Sequence, residues 1–210
     1  MSKLVVFGAS GATGREVVKA ALAQGHVVTA FVRDSAKVGT DDVRLRVVIG
    51  DVMDERAVAA AIVGQDVVIC TLGAPASSRA RVREIGTRNI LAGMRASGVR
   101  RVLVQSTYGL GNTRATLPWF VRSVVIPFWL DRAFADHVEQ EFLVRGADVD
   151  WTLVLPPFLV DGAATGNVRS DDLEATPAPA WKISRADVAA VLVARAADGG
   201  WSRRAVPVTW

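Results

Sequence analysis

The stretch Gly8-Ala9-Ser10-Gly11-Ala12-Thr13-Gly14 determines how the rest of the chain is interpreted. It follows a short apolar run, residues 4–7, and precedes a segment, residues 12–24, whose apolar side chains recur at helical spacing. A GxxGxxG pattern between a buried strand and a helix is a variant of the dinucleotide-binding fingerprint. In that motif the early glycines allow a tight turn and the close approach of a pyrophosphate, and the last lets the helix pack closely on the strand.

Apolar runs and amphipathic stretches alternate along the chain. We predict strands at residues 4–7, 27–32, 43–49, 67–72, 102–105, 151–155 and 205–208, and helices at residues 12–24, 55–63, 80–96, 133–145 and 185–196. This alternation predicts an α/β fold, a Rossmann-type doubly wound parallel sheet with helices on both faces. We expect a single domain over residues 1–210, with residues 109–135 and 156–182 on the substrate side and a loop at 161–180.

The composition excludes several classes of protein. Of the 210 residues 50% are hydrophobic, which excludes a disordered chain, and the lone Cys70 excludes an intramolecular disulfide. With only two histidines we expect no metal site. The net charge of +4 comes from dispersed arginines without interleaved aromatic residues, so we expect no nucleic-acid partner. The longest apolar stretch, residues 117–130, is shorter than the ~20 residues that span a bilayer. We therefore expect a cytoplasmic protein without a membrane partner.

The end of the second predicted strand indicates which cofactor the glycine motif would serve. A carboxylate there binds a ribose 2′-hydroxyl, whereas an arginine pairs with a 2′-phosphate. The sequence has both, in Arg33 and Asp34, about 20 residues beyond the glycine motif. Lys37 and Arg15 add further cations, although either could equally be an ordinary surface charge. Three cations near one expected anion favour NADP(H).

Further cofactor contacts follow from the topology, because ligands bind at the carboxyl ends of parallel strands. Asp51 and Val52 follow the third strand, and Thr71, Leu72 and Gly73 follow the fourth. The residues expected to bind the cofactor from these two arguments are Gly8, Ser10, Gly11, Ala12, Thr13, Gly14, Arg33, Asp51, Val52, Thr71, Leu72 and Gly73.

Several stretches together resemble a known group of proteins. They are GASGATGREV at 8–17, FVRD at 31–34, GDV at 50–52, EIGTRNI at 84–90, GVRRVLVQST at 98–107, DWTLVLPP at 150–157 and KISRADVA at 182–189. Through these stretches the chain resembles the atypical short-chain dehydrogenase/reductases. Within that group it is most similar to the NAD(P)H-binding proteins grouped with NmrA-like proteins and with biliverdin reductase B, also called flavin reductase. The resemblance implies a Rossmann domain with a small C-terminal substrate-covering region, and hydride transfer from NADPH to flavins or tetrapyrroles.

The resemblance also implies roles at the reacting end of the site. Ser106 falls on the active-site serine of these relatives, and His137 falls where many carry lysine and the flavin-reductase type carries histidine. Pro156 and Pro157 would line the nicotinamide end of the cofactor. The chain departs from the relatives at two positions. Phe158 replaces a histidine of the flavin-reductase type, and Tyr108 lacks the lysine of a Tyr-x-x-x-Lys motif.

The candidate catalytic residues are therefore Ser106, Tyr108 and His137. The two hydroxyls could donate a proton or hydrogen bond at the strand end, and His137, with an expected near-neutral pKa, could donate a proton.

The sequence thus predicts an NADPH-dependent reductase of a flavin-like, quinone-like or tetrapyrrole acceptor. The aromatic residues of 117–130 would form an apolar wall for a planar small-molecule substrate, pack under a lid, or form the interface of a homodimer. Two alternatives stay open, a non-catalytic NAD(P)-sensing regulator of NmrA type and an isomerase or cyclase of secondary metabolism.

Overall fold

The computed structural model describes residues 1–38, 41–73, 80–110, 131–170 and 180–210, together with Trp119 and Ser123, and omits the side chains of Lys37 and residues 131–133. The strands are Lys3–Phe7 (β1), Val27–Val32 (β2), Leu45–Ile49 (β3), Val67–Cys70 (β4), Arg101–Gln105 (β5), Asp150–Leu155 (β6), Phe158–Val160 (β7), Lys182–Ser184 (β8) and Arg204–Pro207 (β9). The helices are Ala12–Ala23 (α1), Glu55–Ile62 (α2), Val82–Ser97 (α3), Asp131–Gly146 (α4) and Arg185–Asp198 (α5), with a 3-10 turn at Ser35–Lys37.

Seven strands form one parallel sheet in the order β3-β2-β1-β4-β5-β6-β9. From β1 the chain first adds β2 and β3 on one side and then returns to add β4 on the other. The order therefore reverses at β1, and the crevice beside such a switch point is where open α/β sheets bind ligands. This arrangement confirms the predicted Rossmann-type doubly wound fold.

The central strands are buried because helices cover both faces of the sheet. Successive residues of a strand point to opposite faces, so Leu4 and Val6 of β1 pack with α1 and α5, whereas Val5 and Phe7 pack with α2 and α3. All four side chains are fully buried. This explains why the strands read as continuous apolar runs rather than as alternating patterns.

Two short strands were missing from the sequence prediction. Strands β7 and β8 pair in parallel as a second, two-stranded sheet, with Phe158 opposite Lys182. Each strand has three residues, too few for a periodic pattern to be visible in the sequence. The loop predicted at residues 161–180 lies between these two strands. Strand β3 is also shorter than predicted, because Val43 is fully exposed and precedes it.

Much of the predicted substrate side lies outside the described residues, including residues 111–118, 171–179 and most of the aromatic segment 117–130. Trp119, which is described, is largely exposed. In the described part of the chain, no helix combines the length and the apolar character needed to cross a membrane.

Candidate functional site

A cleft with a volume of about 760 Å³ opens at the carboxyl ends of the strands, beside the switch point. Among the described residues, every predicted cofactor-binding residue except Gly14 lines it, and so do Pro156 and Pro157. Ser106 and His137 line it as well, whereas Tyr108 does not. The cleft therefore brings together residues from six strand ends that are up to 149 positions apart in the sequence.

The glycine turn has no room for side chains at two of its three glycines. Gly8 has a φ of +81°, and a Cβ atom there would lie 2.6 Å from the carbonyl oxygen of Thr71. A Cβ atom on Gly14 would lie 2.1 Å from the carbonyl oxygen of Gly8, so Gly14 packs the helix against the turn rather than lining the cleft. A Cβ atom on Gly11 would meet only the Gly8 oxygen, at 3.1 Å, and would otherwise point into open space.

The N-terminus of α1 offers hydrogen-bond donors to that space. No side chain of the described residues caps this helix, and its first turn contains no acidic residue. By contrast, Asp54 caps α2 and Ser184 caps α5. The first backbone N–H groups of a helix lack partners and carry partial positive charge, which is the environment that a pyrophosphate requires. The glycine turn and this helix end therefore fit the phosphates of a dinucleotide.

The structure separates the two candidate groups after β2. Arg33 is exposed and lines the cleft. Asp34 does not line it, and its Oδ1 caps the following 3-10 turn by accepting a hydrogen bond from the N–H of Ala36 at 3.1 Å. Arg15 also lies outside the cleft lining and donates to the carbonyl oxygen of Ser10 at 2.7 Å. Of the two candidate groups, Arg33 is thus the one that lines the cleft.

Ser106 is engaged by a carboxylate that the sequence analysis missed. Its buried hydroxyl donates to Oε1 of Glu141 at 2.7 Å, and Oε2 of Glu141 accepts from Arg145 at 2.9 Å. Glu141 lies four positions after His137 on α4, and residues at this spacing share a face of a helix. That spacing was the one sequence signal for Glu141. Because its proton is directed to Glu141, the hydroxyl of Ser106 can present an oxygen lone pair to the cleft.

The expectation of a near-neutral pKa for His137 was wrong. Burial, together with the positive charge of Arg83, lowers the pKa of His137 to about 3, although a hydrogen bond with Gln140 acts in the opposite direction. Its Nδ1 atom is buried and has no hydrogen-bond partner in the described structure. The imidazole is therefore neutral at physiological pH, and it cannot serve as an imidazolium acid.

Tyr108 lies apart from the other two candidate catalytic residues. Its side chain is 5% exposed and packs edge-to-face against Trp181, with ring centroids 6.3 Å apart. Its backbone N–H donates to the carbonyl oxygen of Pro156 at 2.8 Å. The main chain of Tyr108 thus holds in place the Pro156–Pro157 segment that lines the cleft.

The chain is similar to named proteins over most of its length. The family model described as NAD(P)H-binding matches residues 8–198. The chain is 35% identical over 116 residues to 3-diazoavenalumate denitrifying reductase of a Streptomyces species, which covers 50% of this chain and 37% of that protein. It spans about half the length of the curated relatives it matches.

Two solved structures share the fold over nearly the whole chain. The anaerobillin reductase ChuY of Escherichia coli O157:H7 superposes with a TM-score of 0.78 at 22% identity, over 99% of this chain and 96% of that one. A short-chain dehydrogenase/reductase of Veillonella parvula in complex with NADP gives a TM-score of 0.84 at 14% identity, over 100% of this chain and 94% of that one. Since the family model covers almost the entire sequence as well, the chain belongs to the NAD(P)H-binding family, as its resemblance to the atypical short-chain dehydrogenase/reductases implied.

Proposed function

We propose that the protein is an NADPH-dependent reductase whose acceptor is a planar conjugated molecule of flavin, quinone or tetrapyrrole type. Membership of the NAD(P)H-binding family supports the cofactor class, and the named reductase among the relatives supports the reaction class. The observation that carries the choice of acceptor is the state of the two polar side chains at the reacting end. The Ser106 hydroxyl donates a hydrogen bond to Glu141, and His137 is neutral.

These two side chains suit an acceptor that needs little help from an acid. When bound, NADPH supplies a hydride and becomes NADP⁺. The acceptor gains this hydride and one proton, and a reduced flavin or quinone can take the proton from water. A simple ketone develops an alkoxide that needs a strong donor in the site. Here Glu141 orients the Ser106 hydroxyl, and the neutral His137 can donate or accept a hydrogen bond without carrying a charge.

The remaining contributions of the chain are binding and orientation. The helix end at Gly11 and the guanidinium of Arg33 would hold the phosphates, and Pro156 and Pro157 would bound the opposite end of the cleft. Arg33, as the candidate group after β2 that lines the cleft, supports a preference for NADPH over NADH.

Arg33→Ala is expected to weaken NADPH binding by about 1–3 kcal/mol, the contribution of a hydrogen bond to a charged group. NADH binding should change much less, because NADH lacks the 2′-phosphate. Isothermal titration calorimetry with both cofactors measures the difference. Arg56→Ala, an exposed arginine of α2 outside the cleft lining, is the control and should leave both affinities unchanged. Equal losses for NADPH and NADH in Arg33→Ala would remove the basis for the NADPH preference.

The reductase proposal is tested by following NADPH oxidation with a panel of flavins, quinones and tetrapyrroles. Because water can protonate the reduced acceptor, Ser106→Ala should slow the reaction only about 10-fold, equivalent to roughly 1.4 kcal/mol. Ser97→Ala is the control, since the Ser97 hydroxyl donates to the carbonyl oxygen of Gly93 within α3 and lies outside the cleft lining, so its loss should leave the rate unchanged. Complete loss of the rate in Ser106→Ala would instead identify an essential proton donor.

A non-catalytic regulator that senses NAD(P) is the second candidate. It is favoured by the position of Tyr108, which lies buried against Trp181 and away from the cleft lining. If NADPH binds but no acceptor in the panel is reduced faster than in free solution, the result contradicts the reductase and supports the NAD(P)-sensing regulator.

A further inference from the structure

We propose that Arg83 binds a carboxylate or phosphate on the acceptor, so that the cleft selects planar acceptors that carry an anionic group. This inference rests on the reductase function proposed above and narrows its substrate class. It is carried by the position of the Arg83 guanidinium, by the hydrogen-bonding groups that it leaves without partners, and by the charges around it.

Arg83 is the second residue of α3 and lines the cleft on the same side as Gly73 and His137. Its side chain is only 12% exposed, so the charge is held within the protein rather than in bulk water. The NH2 atom lies 3.6 Å from the position that a Cβ atom on Gly73 would take, which places the guanidinium beside the backbone that follows β4. By topology this is the reacting end of the cleft rather than its adenosine end.

Asp136, the acidic partner of Arg83 among the described residues, is engaged mainly elsewhere. Oδ2 of Asp136 lies 3.3 Å from NH1 of Arg83 and also accepts from the backbone N–H of Arg83 at 3.1 Å. Oδ1 of Asp136 accepts from the backbone N–H of Glu84 at 3.0 Å. Asp136 thus caps the N-terminus of α3 and makes a single, long contact with the guanidinium instead of a bidentate pair.

The opposite edge of the guanidinium is left without an acceptor. Within the described ranges, the buried Nε of Arg83 has no hydrogen-bond partner and NH2 makes no hydrogen bond. Nε and NH2 together form the lateral fork of an arginine, which matches the two oxygens of a carboxylate or phosphate. A buried donor without an acceptor is unfavourable, and an anionic group entering the cleft would satisfy it.

The other charged groups of the cleft do not supply that anion. Among the described lining residues, Arg185 is paired with Asp161 at 2.7 Å, and Arg33 and Asp51 follow β2 and β3 at the other end. His137, beside Arg83, is uncharged, and the charge of Arg83 contributes to keeping it so. A ligand with an anionic substituent would therefore complement this end of the cleft.

Two flavins that differ in one charged group provide the test. Riboflavin and FMN have the same planar ring system, and FMN adds a phosphate. Their binding to the NADP⁺-saturated protein is measured by quenching of flavin fluorescence, which requires no turnover. We expect wild-type protein to bind FMN about 10-fold more tightly than riboflavin, or better, through the charged contact. The pair 1,4-naphthoquinone-2-sulfonate and 1,4-naphthoquinone repeats the comparison with another ring system, by competition for the flavin or by calorimetry.

Arg83→Met keeps the length of the side chain and removes its charge. We expect this variant to lose about 10- to 100-fold in affinity for FMN, the range for a lost charge-assisted pair, with riboflavin affinity unchanged. Arg88→Met is the matched control, because Arg88 lies on the same helix, is largely exposed and does not line the cleft. Unchanged binding of NADPH by Arg83→Met shows that the variant is folded.

The alternative source of an anion is the cofactor itself. If Arg83→Met loses NADPH affinity and leaves FMN affinity unchanged, Arg83 serves the cofactor phosphates and the proposal is overturned. Equal losses for FMN and riboflavin would assign Arg83 a packing role and would also overturn it. It is overturned as well if wild-type protein shows no preference for the charged member of either pair. Failure of the reductase proposal has a different result: the protein would bind the charged member of each pair more tightly, but it would not oxidise NADPH with any acceptor.

Discussion

Replacing Gly11 with valine is expected to abolish NADPH binding while leaving the protein folded. Gly11 has φ −71° and ψ 164°, which any L-residue can adopt, and its Cβ atom would meet only the Gly8 carbonyl oxygen. The added side chain would enter the cleft at the helix end where the pyrophosphate fits. We expect a loss of at least 100-fold in NADPH affinity, about 2.7 kcal/mol or more, by calorimetric titration.

Gly14→Val is the companion variant that separates binding from folding. A side chain at Gly14 would clash with the backbone of Gly8 and Ala9, at 2.1 and 2.8 Å, and neither can yield without displacing the turn. Gly14→Val should therefore lose both NADPH affinity and thermal stability, whereas Gly11→Val, at the N-cap of α1, should lose far less thermal stability than Gly14→Val. Retained NADPH binding by Gly11→Val would show that the phosphates lie elsewhere.

Replacing Asp187 with alanine is expected to cause the largest loss of stability. Its carboxylate is fully buried and accepts hydrogen bonds from the N–H groups of Thr165 and Gly166, the hydroxyls of Thr165 and Ser184, and the indole of Trp210. The distances range from 2.7 to 3.1 Å. One side chain thus ties the loop before β8, the start of α5 and the C-terminal residue together.

Removing this carboxylate leaves several buried donors without an acceptor. We expect Asp187→Ala to lower the free energy of unfolding by about 3 kcal/mol, or roughly 6–12 °C in thermal midpoint for a chain of this size. Asp161→Ala is the matched control, because Asp161 also pairs with a residue of α5, Arg185, but is 92% exposed. An exposed ion pair contributes about 0–1 kcal/mol, so the control should unfold close to the wild-type temperature. Similar losses in both variants would contradict the assigned role.

The same carboxylate gives the stability a pH dependence of definite sign. Burial raises the pKa of Asp187, but the hydrogen bonds from Trp210, Gly166, Ser184 and Thr165 outweigh burial and hold the pKa below its ordinary value of 3.8. A depressed carboxyl pKa stabilises the fold above the unfolded-state pKa, and the contribution is lost as pH falls through the folded-state pKa. The stability advantage of wild type over Asp187→Asn should therefore shrink below about pH 4.

The fold and the cofactor end of the site were predictable because their signals are local. Apolar runs, helical spacing and the positions of glycines are read within short windows, and ligand binding at the ends of parallel strands follows from topology alone. The residues Asp51, Val52 and Thr71, which carry no motif of their own, line the cleft for this reason. Strands β7 and β8 escaped prediction because three residues are too few to form a pattern.

The sequence by itself thus determined the α/β architecture, the glycine turn and the family. The tertiary structure decided the state of the candidate catalytic side chains, because that state depends on contacts between residues far apart in the chain. It placed Glu141 against Ser106 across 35 positions and Asp136 against the start of α3 across 53. It also placed His137, half-buried, beside Arg83. Reduced hydration and the neighbouring positive charge, which no local sequence pattern reveals, lower the pKa of this imidazole so that it stays uncharged.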